Sequence, residues 1–267
     1  AWTYEAPRPS AAPTAAPAPG GAPGGGVPPS VAEALARAGI DPDAHLGFAA
    51  NTAPLAEAGV PFWVAPGTST WLTLVGRLDN ARANILDAVD VAVERGAPGF
   101  LLTGWGDGGH MEPPSVGFGP IVYGGAVSWS RAANHDLDLA GVLDRHVFGD
   151  ATGTLGGVLD DLGVMWRRTG QRVFNGSPLM AALCPDVPML AGGHPDPERL
   201  GPLVADLDAA VAAIEASQPS GPDGDVVRAE LSTATRLARH GAYRLLRAAG
   251  VDGDLVPDRA ALRADIL

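Results

Sequence analysis

The sequence contains no lysine and a single cysteine, and both shortages exclude functions before any motif is read. All 18 basic residues are arginine, against 30 acidic ones, and the formal net charge is -12. A chain this acidic repels phosphate backbones and anionic lipid surfaces. No nucleic acid and no membrane are expected as partners, and a neutral or cationic ligand fits better. One cysteine, Cys184, can neither close a disulfide within the chain nor build a thiolate metal site, and it sets no redox compartment. No apolar run reaches the roughly 20 residues that span a bilayer. No basic stretch followed by an apolar one opens the chain, so no signal peptide is visible and the compartment stays open between cytoplasmic and secreted. The first residue is not Met, and residues 2–5 already read as a strand. The chain is expected to be a piece of a longer protein.

What is present is an apolar share of 46% over 267 residues, enough for one large domain or two small ones. Residues 7–29 are almost wholly Ala, Pro, Gly and Ser, too poor in large apolar side chains to offset their ordering entropy, and read as a flexible insertion. Ser30 and Glu33 form a capping box ahead of a helix over 31–38 that Gly39 ends. A short helix near 54–58 precedes an apolar, β-forming run at 60–65. A helix over about 80–95 follows, with Ile85, Ala88, Val89, Ala92 and Val93 on one face and Gly96 as its stop. Then come a buried strand at 99–103 and a helix at 121–130. Strand, loop and helix in alternation predict a parallel α/β structure.

Beyond residue 136 the pattern changes to helices, at 137–146 and 154–168. Two longer ones follow, at 198–217 with Leu200, Leu203, Leu207, Val211 and Ile214 in register, and at 225–249 with Val227, Leu231, Ala234, Leu237, Ala238 and Leu245. The Pro- and Gly-containing turn at 219–224 predicts that these two pack antiparallel.

The candidate chemistry sits at strand ends. Trp105 and Asp107 follow the strand at 99–103 directly, flanked by Gly104, Gly106, Gly108 and Gly109, in the segment TGWGDGGH. Loops after parallel strands form the ligand-binding face of α/β structures. A Trp ring offers an apolar face to the C–H face of a sugar, and a neighbouring carboxylate accepts bonds from two hydroxyls. The earlier strand ends repeat the arrangement. PGTSTW brings Ser69 and Trp71, and the opening segment brings Trp2, Tyr4 and Glu5. His110 is expected to donate to a backbone carbonyl or to substrate. The spacing of Asp107, His110 and Glu112 matches no metal-ligand motif, so no metal is expected. There is no GxSxG elbow, no phosphate loop and no dinucleotide fingerprint, and no cofactor is expected.

WTYEAP, FWVAPGTSTW, GRLDNARANI, GFLLTGWGDGGH and VYGGAVSW, in that order, resemble the last strands of the catalytic barrel of family 20 glycoside hydrolases, the β-N-acetylhexosaminidases. The likeness covers residues 1–148 and is interrupted by the insertion at 7–29. It implies the C-terminal portion of a (β/α)8 barrel, followed by an α-helical region over 149–267. It also implies cleavage of a terminal N-acetylhexosamine by substrate-assisted retention. The substrate's acetamido oxygen attacks the anomeric carbon and a Glu protonates the leaving oxygen, unlike the two-carboxylate scheme of most glycosidases. In the family a polarising Asp and the acid Glu stand side by side after the fourth strand, and this sequence has no such pair. By position, Trp105 matches the pocket Trp after the last strand, Asp107 the carboxylate that holds sugar hydroxyls, and Trp2 a further wall aromatic. Trp71 and Ser69 fall in the loop that orients the acetamido group, without the family's Tyr-x-Asp.

The resemblance therefore implies a chain that supplies a carbohydrate-binding wall and is inactive alone. Two alternatives stay open. One is a self-sufficient hydrolase in which Glu5 and Asp107 form the carboxylate pair. The other is a non-catalytic carbohydrate-binding or helical interaction protein.

Overall fold

The computed structural model describes residues 47–251 except 188 and 190, together with 256, 257, 261 and 263. The expected strand at 2–5, insertion at 7–29 and helix at 31–38 lie outside the described residues, and with them Trp2 and Glu5.

Helix α1 (Phe48–Glu57) opens the described chain and carries Pro54 inside it. It begins six residues ahead of the expected start at 54. Its first turn is held from outside, since the Phe48 N–H donates to Asp87 at 2.8 Å and Arg95 donates to the Ala49 carbonyl at 2.7 Å. Strand β1 (Trp63–Val64) leads through a loop to α2 (Leu78–Arg95), and β2 (Gly99–Phe100) returns parallel to β1. The expected strand–helix–strand unit is therefore present. Helix α2 stops at Gly96, which adopts the left-handed conformation at φ 63°. Its inner face buries Ala81, Ile85, Ala88 and Val89, whereas Val93 is exposed. The apolar stripe drifts because α1 lies on the adjacent side, where Val91 joins Phe48, Phe62 and Val64 in a small core.

The barrel expectation reduces, among the described residues, to this one parallel pair. The rest is mostly helical. Helix α3 (Phe118–Trp129) packs on α2. Short helices α4 (Arg131–Asn134) and α5 (Leu139–Val142) follow, and the chain then winds through one wide π turn, Leu143–Phe148. The helix expected over 154–168 is broken into α6 (Leu155–Leu162) and a 3-10 turn, Met165–Thr169. The break is tertiary in origin. A Cβ on Gly163 would stand 2.3 Å from the Leu78 Cβ, and the Leu78 N–H donates to the Gly163 carbonyl at 3.0 Å, so the chain leaves the helix to meet the start of α2.

A small antiparallel pair, β3 (Gln171–Val173) with β4 (Ala191–Gly193), flanks α7 (Pro178–Leu183) and has no counterpart in the sequence pattern. Helices α8 (Pro197–Ala216) and α9 (Gly224–Ala248) close the fold. Arg236 pairs with Glu215 and Arg239 with Asp208, so the partners run in opposite directions and the pair is antiparallel as expected. One hydrophobic cluster joins both sides of Phe148, with Leu78, Ile85 and Val127 in contact with the group that includes Leu155, Leu207, Ile214 and Leu231. Each such side chain, fully buried, contributes about 1.5–3 kcal/mol. Among the described residues no helix is long and apolar enough to cross a membrane.

Candidate functional site

The parallel pairing continues past both strands. Leu101 donates to the Val64 carbonyl, Thr103 to that of Pro66, and Thr68 to that of Thr103, each at 2.9 Å, and Gly67 bridges Thr103. Both loops therefore leave at one level, which brings residues 68–73 under residues 104–112.

The first loop forms a buried floor. Thr68, Ser69, Thr70, Trp71 and Thr73 are all buried, with Ser69 and Trp71 at 0% exposure. Ser69 takes a positive φ of 54° and is fixed by α2, because Asn80 Nδ2 donates to its hydroxyl at 2.8 Å and the Arg77 N–H to its carbonyl at 3.1 Å. The Gly67 N–H donates to Asn84 at 3.1 Å, and the Thr68 and Thr70 hydroxyls bond to each other at 2.9 Å. Ser69 and Trp71, expected to face a ligand, are enclosed by the protein in this chain.

The second loop forms the rim. Trp105 is 47% exposed and Asp107 is exposed beside it, at the start of the 3-10 turn Asp107–Gly109. His110 follows with φ 56°, a left-handed conformation that His tolerates better than most residues. Its ring folds back on the backbone of the same segment. A Cβ on Gly106 would stand 3.3 Å from His110 Nδ1, so the glycine gives the ring room to lie close against the chain between Trp105 and Asp107. Trp105, Asp107 and His110 are thus together on one exposed rim.

The residue that sequence reasoning underrated is Glu112. It was weighed only as a metal ligand. Its side chain is buried, whereas that of His110 is 59% exposed, and His110 Nδ1 lies 3.2 Å from Glu112 Oε1. Among the described residues neither Glu112 oxygen takes a hydrogen bond of ordinary geometry. Burial dominates its titration and pushes its pKa up to about 7; its own backbone N–H, His110 and the Thr70 hydroxyl pull the other way, and Asp107 adds to the rise. The available signal was the Pro113–Pro114 pair directly after it, which forces the chain inward into the 3-10 turn Pro114–Gly117. That turn is tied to α9, because the Ser115 N–H donates to Glu230 at 3.1 Å.

Among the described residues no group of three or more His, Cys, Asp or Glu side chains is placed to hold a metal ion. A groove of about 380 Å3 runs beside Asp79, Arg82, Tyr123, His135 and Asp160, but its polar groups are engaged with one another. Arg82 lies over the Tyr123 ring at 5.3 Å and pairs with Asp160 at 3.4 Å, and the Tyr123 hydroxyl donates to the His135 carbonyl at 3.3 Å. The strand-end rim can present an aromatic face, a carboxylate acceptor and an imidazole to a polyhydroxylated ligand. Comparison with family models, curated proteins and solved structures finds no match to this chain.

Proposed function

We propose that this chain is the C-terminal portion of a (β/α)8 glycoside hydrolase of the β-N-acetylhexosaminidase type, in which it supplies the wall of a sugar subsite. The observation that carries the reading is the pairing of exposed Trp105 and Asp107 at the carboxyl end of two parallel strands, where α/β structures bind their ligands. The Trp105 ring stacks on the C–H face of a pyranose, and Asp107 accepts from its hydroxyls. Trp71 and Ser69 lie fully buried in the loop after β1.

The barrel part of the reading draws on the open side of the sheet. Parallel sheets are normally covered on both faces, and here α2 covers only one. Trp63 and Leu101 stand exposed on the strand pair. Further strands beside β1 and β2 would bury them. The acid–base Asp-Glu pair belongs on those strands, since no adjacent Asp-Glu occurs in the sequence.

Calorimetry with N-acetylglucosamine tests the wall. Wild type binds, and Trp105→Ala weakens binding by about 1–3 kcal/mol, the worth of one stacked aromatic. Unchanged binding in Trp105→Ala would leave Trp105 a structural residue. Turnover of a chromogenic N-acetylglucosaminide by this chain alone would overturn the claim that the catalytic pair lies elsewhere.

A further inference from the structure

A carboxyl buried at 4% exposure, neither of whose oxygens takes a hydrogen bond of ordinary geometry among the described residues, is costly unless it does something. Glu112 meets an imidazole instead, and that imidazole reaches solvent on its far side, in the rim beside Trp105 and Asp107. We propose that Glu112 and His110 form a one-proton switch under the sugar wall, in which Glu112 is a positioning residue that sets whether His110 Nε2 accepts a hydrogen bond from the ligand or donates one to it. The ligand side of this proposal rests on the sugar-wall reading.

The proton count follows from the geometry. With no added proton, a turn of the imidazole across the 3.2 Å gap lets the Glu112 carboxylate accept from Nδ1–H, and Nε2 keeps its lone pair as an acceptor. One added proton gives either a neutral carboxyl that donates to Nδ1 or a carboxylate paired with imidazolium. In both forms Nε2 carries a hydrogen and donates. The same proton can sit on Glu112 Oε1 or on His110 Nδ1, so the pair titrates as a unit.

The groups that face Glu112 pull on its proton in both directions. Asp107, from its own loop, raises the affinity for the proton, and the Thr70 hydroxyl, from the loop after β1, lowers it. Arg77 is drawn to the face of Trp166 at 5.4 Å, and Glu230 of α9 is held by the Ser115 N–H. Burial brings Glu112 to about 7. Asp107 is an acceptor only, so it takes the hydrogens of the sugar hydroxyls and leaves their oxygens in need of a donor. His110 supplies that donor in the protonated state of the pair.

Nitrogen and carboxyl-carbon NMR of the full chain reads the switch without any sugar. Glu112 is expected to titrate with a midpoint near 7, with His110 held as the Nδ1–H tautomer above it. In Glu112→Gln that tautomer preference disappears. Calorimetry then reads its use. Wild-type affinity for N-acetylglucosamine falls about tenfold from about pH 6 to about pH 8, the effect of one hydrogen bond, and the fall is absent in Glu112→Gln and in His110→Gln. A His110 tautomer and midpoint unchanged by Glu112→Gln overturn the pairing. Binding whose pH profile survives Glu112→Gln overturns the switch alone and leaves the wall intact. No binding by wild type at any pH overturns the sugar reading and the ligand role of the pair together.

Discussion

Two buried carboxylates, one in each half of the molecule, are driven in opposite directions by their surroundings. Asp150 lies at the base of the helical half, between α6 and the end of α8. It accepts from the backbone N–H groups of Thr152, Thr154, Leu155 and Gln218 at 2.8–3.1 Å, and from the Thr152 hydroxyl. Burial acts to raise its pKa, but the bonds from Gln218, Thr154, Thr152 and Leu155 outweigh it and bring the group to about 2. Glu112, in the strand-end loop, is as deeply buried and has no such ring of donors, so burial prevails and takes it to about 7. One carboxylate is a fastener that is charged at any physiological pH. The other is left able to gain and lose a proton, which fits a group kept for function at some cost in stability.

The comparison sharpens most at the floor of the strand-end loop, which is packed as firmly as the helical half although the rim above it is open. Trp71→Ala is expected to destabilise by about 3–5 kcal/mol in urea unfolding, since it empties a fully buried aromatic site. A loss below about 1 kcal/mol would mean that the floor collapses freely and cannot hold the rim.

Asp150→Ala comes next, at about 3 kcal/mol or more at pH 7, because it strands several backbone donors at once. The pH profile carries the same information. The folded pKa lies below the ordinary aspartate value of 3.8, so the stabilisation is complete above that value and is lost as pH falls through about 2. Wild type should therefore lose about 2.5 kcal/mol over that acid range, and Asp150→Asn should not follow it.

Glu112→Gln is expected to act with the opposite sign. The folded pKa of about 7 lies above the ordinary glutamate value of 4.5, so wild-type stability is full below about 4.5 and declines as pH rises through 7. At pH 8 the neutral isostere should be more stable than wild type by about 2–3 kcal/mol, with little difference at pH 4. Equal stability at pH 8 would break the contrast with Asp150. The smallest effect belongs to Trp105→Ala, within about 0.5 kcal/mol in unfolding, as for a half-exposed side chain.

The helices of the second half were legible because apolar residues at a period near 3.6 suit only one local structure, as in Leu200, Leu203, Leu207 and Ile214. The α2 crossover and its parallel strands were legible for a similar reason, through short apolar runs with a Gly stop between them. The site was read only in part. Trp71 and Trp105 both follow strand ends, and nothing local distinguishes the ring that fills the floor from the ring that stands on the rim. Glu112 escaped notice because a charged residue in a loop is expected to be solvated. The turn that follows it is tied to Glu230, more than a hundred residues away.

By itself the sequence determined the alternation of elements, the acidic surface and the placement of Trp105, Asp107 and His110 in one glycine-rich turn. These depend on side-chain periodicity, charge and backbone freedom within a few residues. Only the tertiary structure decided which tryptophan is buried, where α6 breaks against Leu78, and that Glu112 lies beneath His110. Each of those depends on which distant surface fills the space, and that is settled by packing between elements.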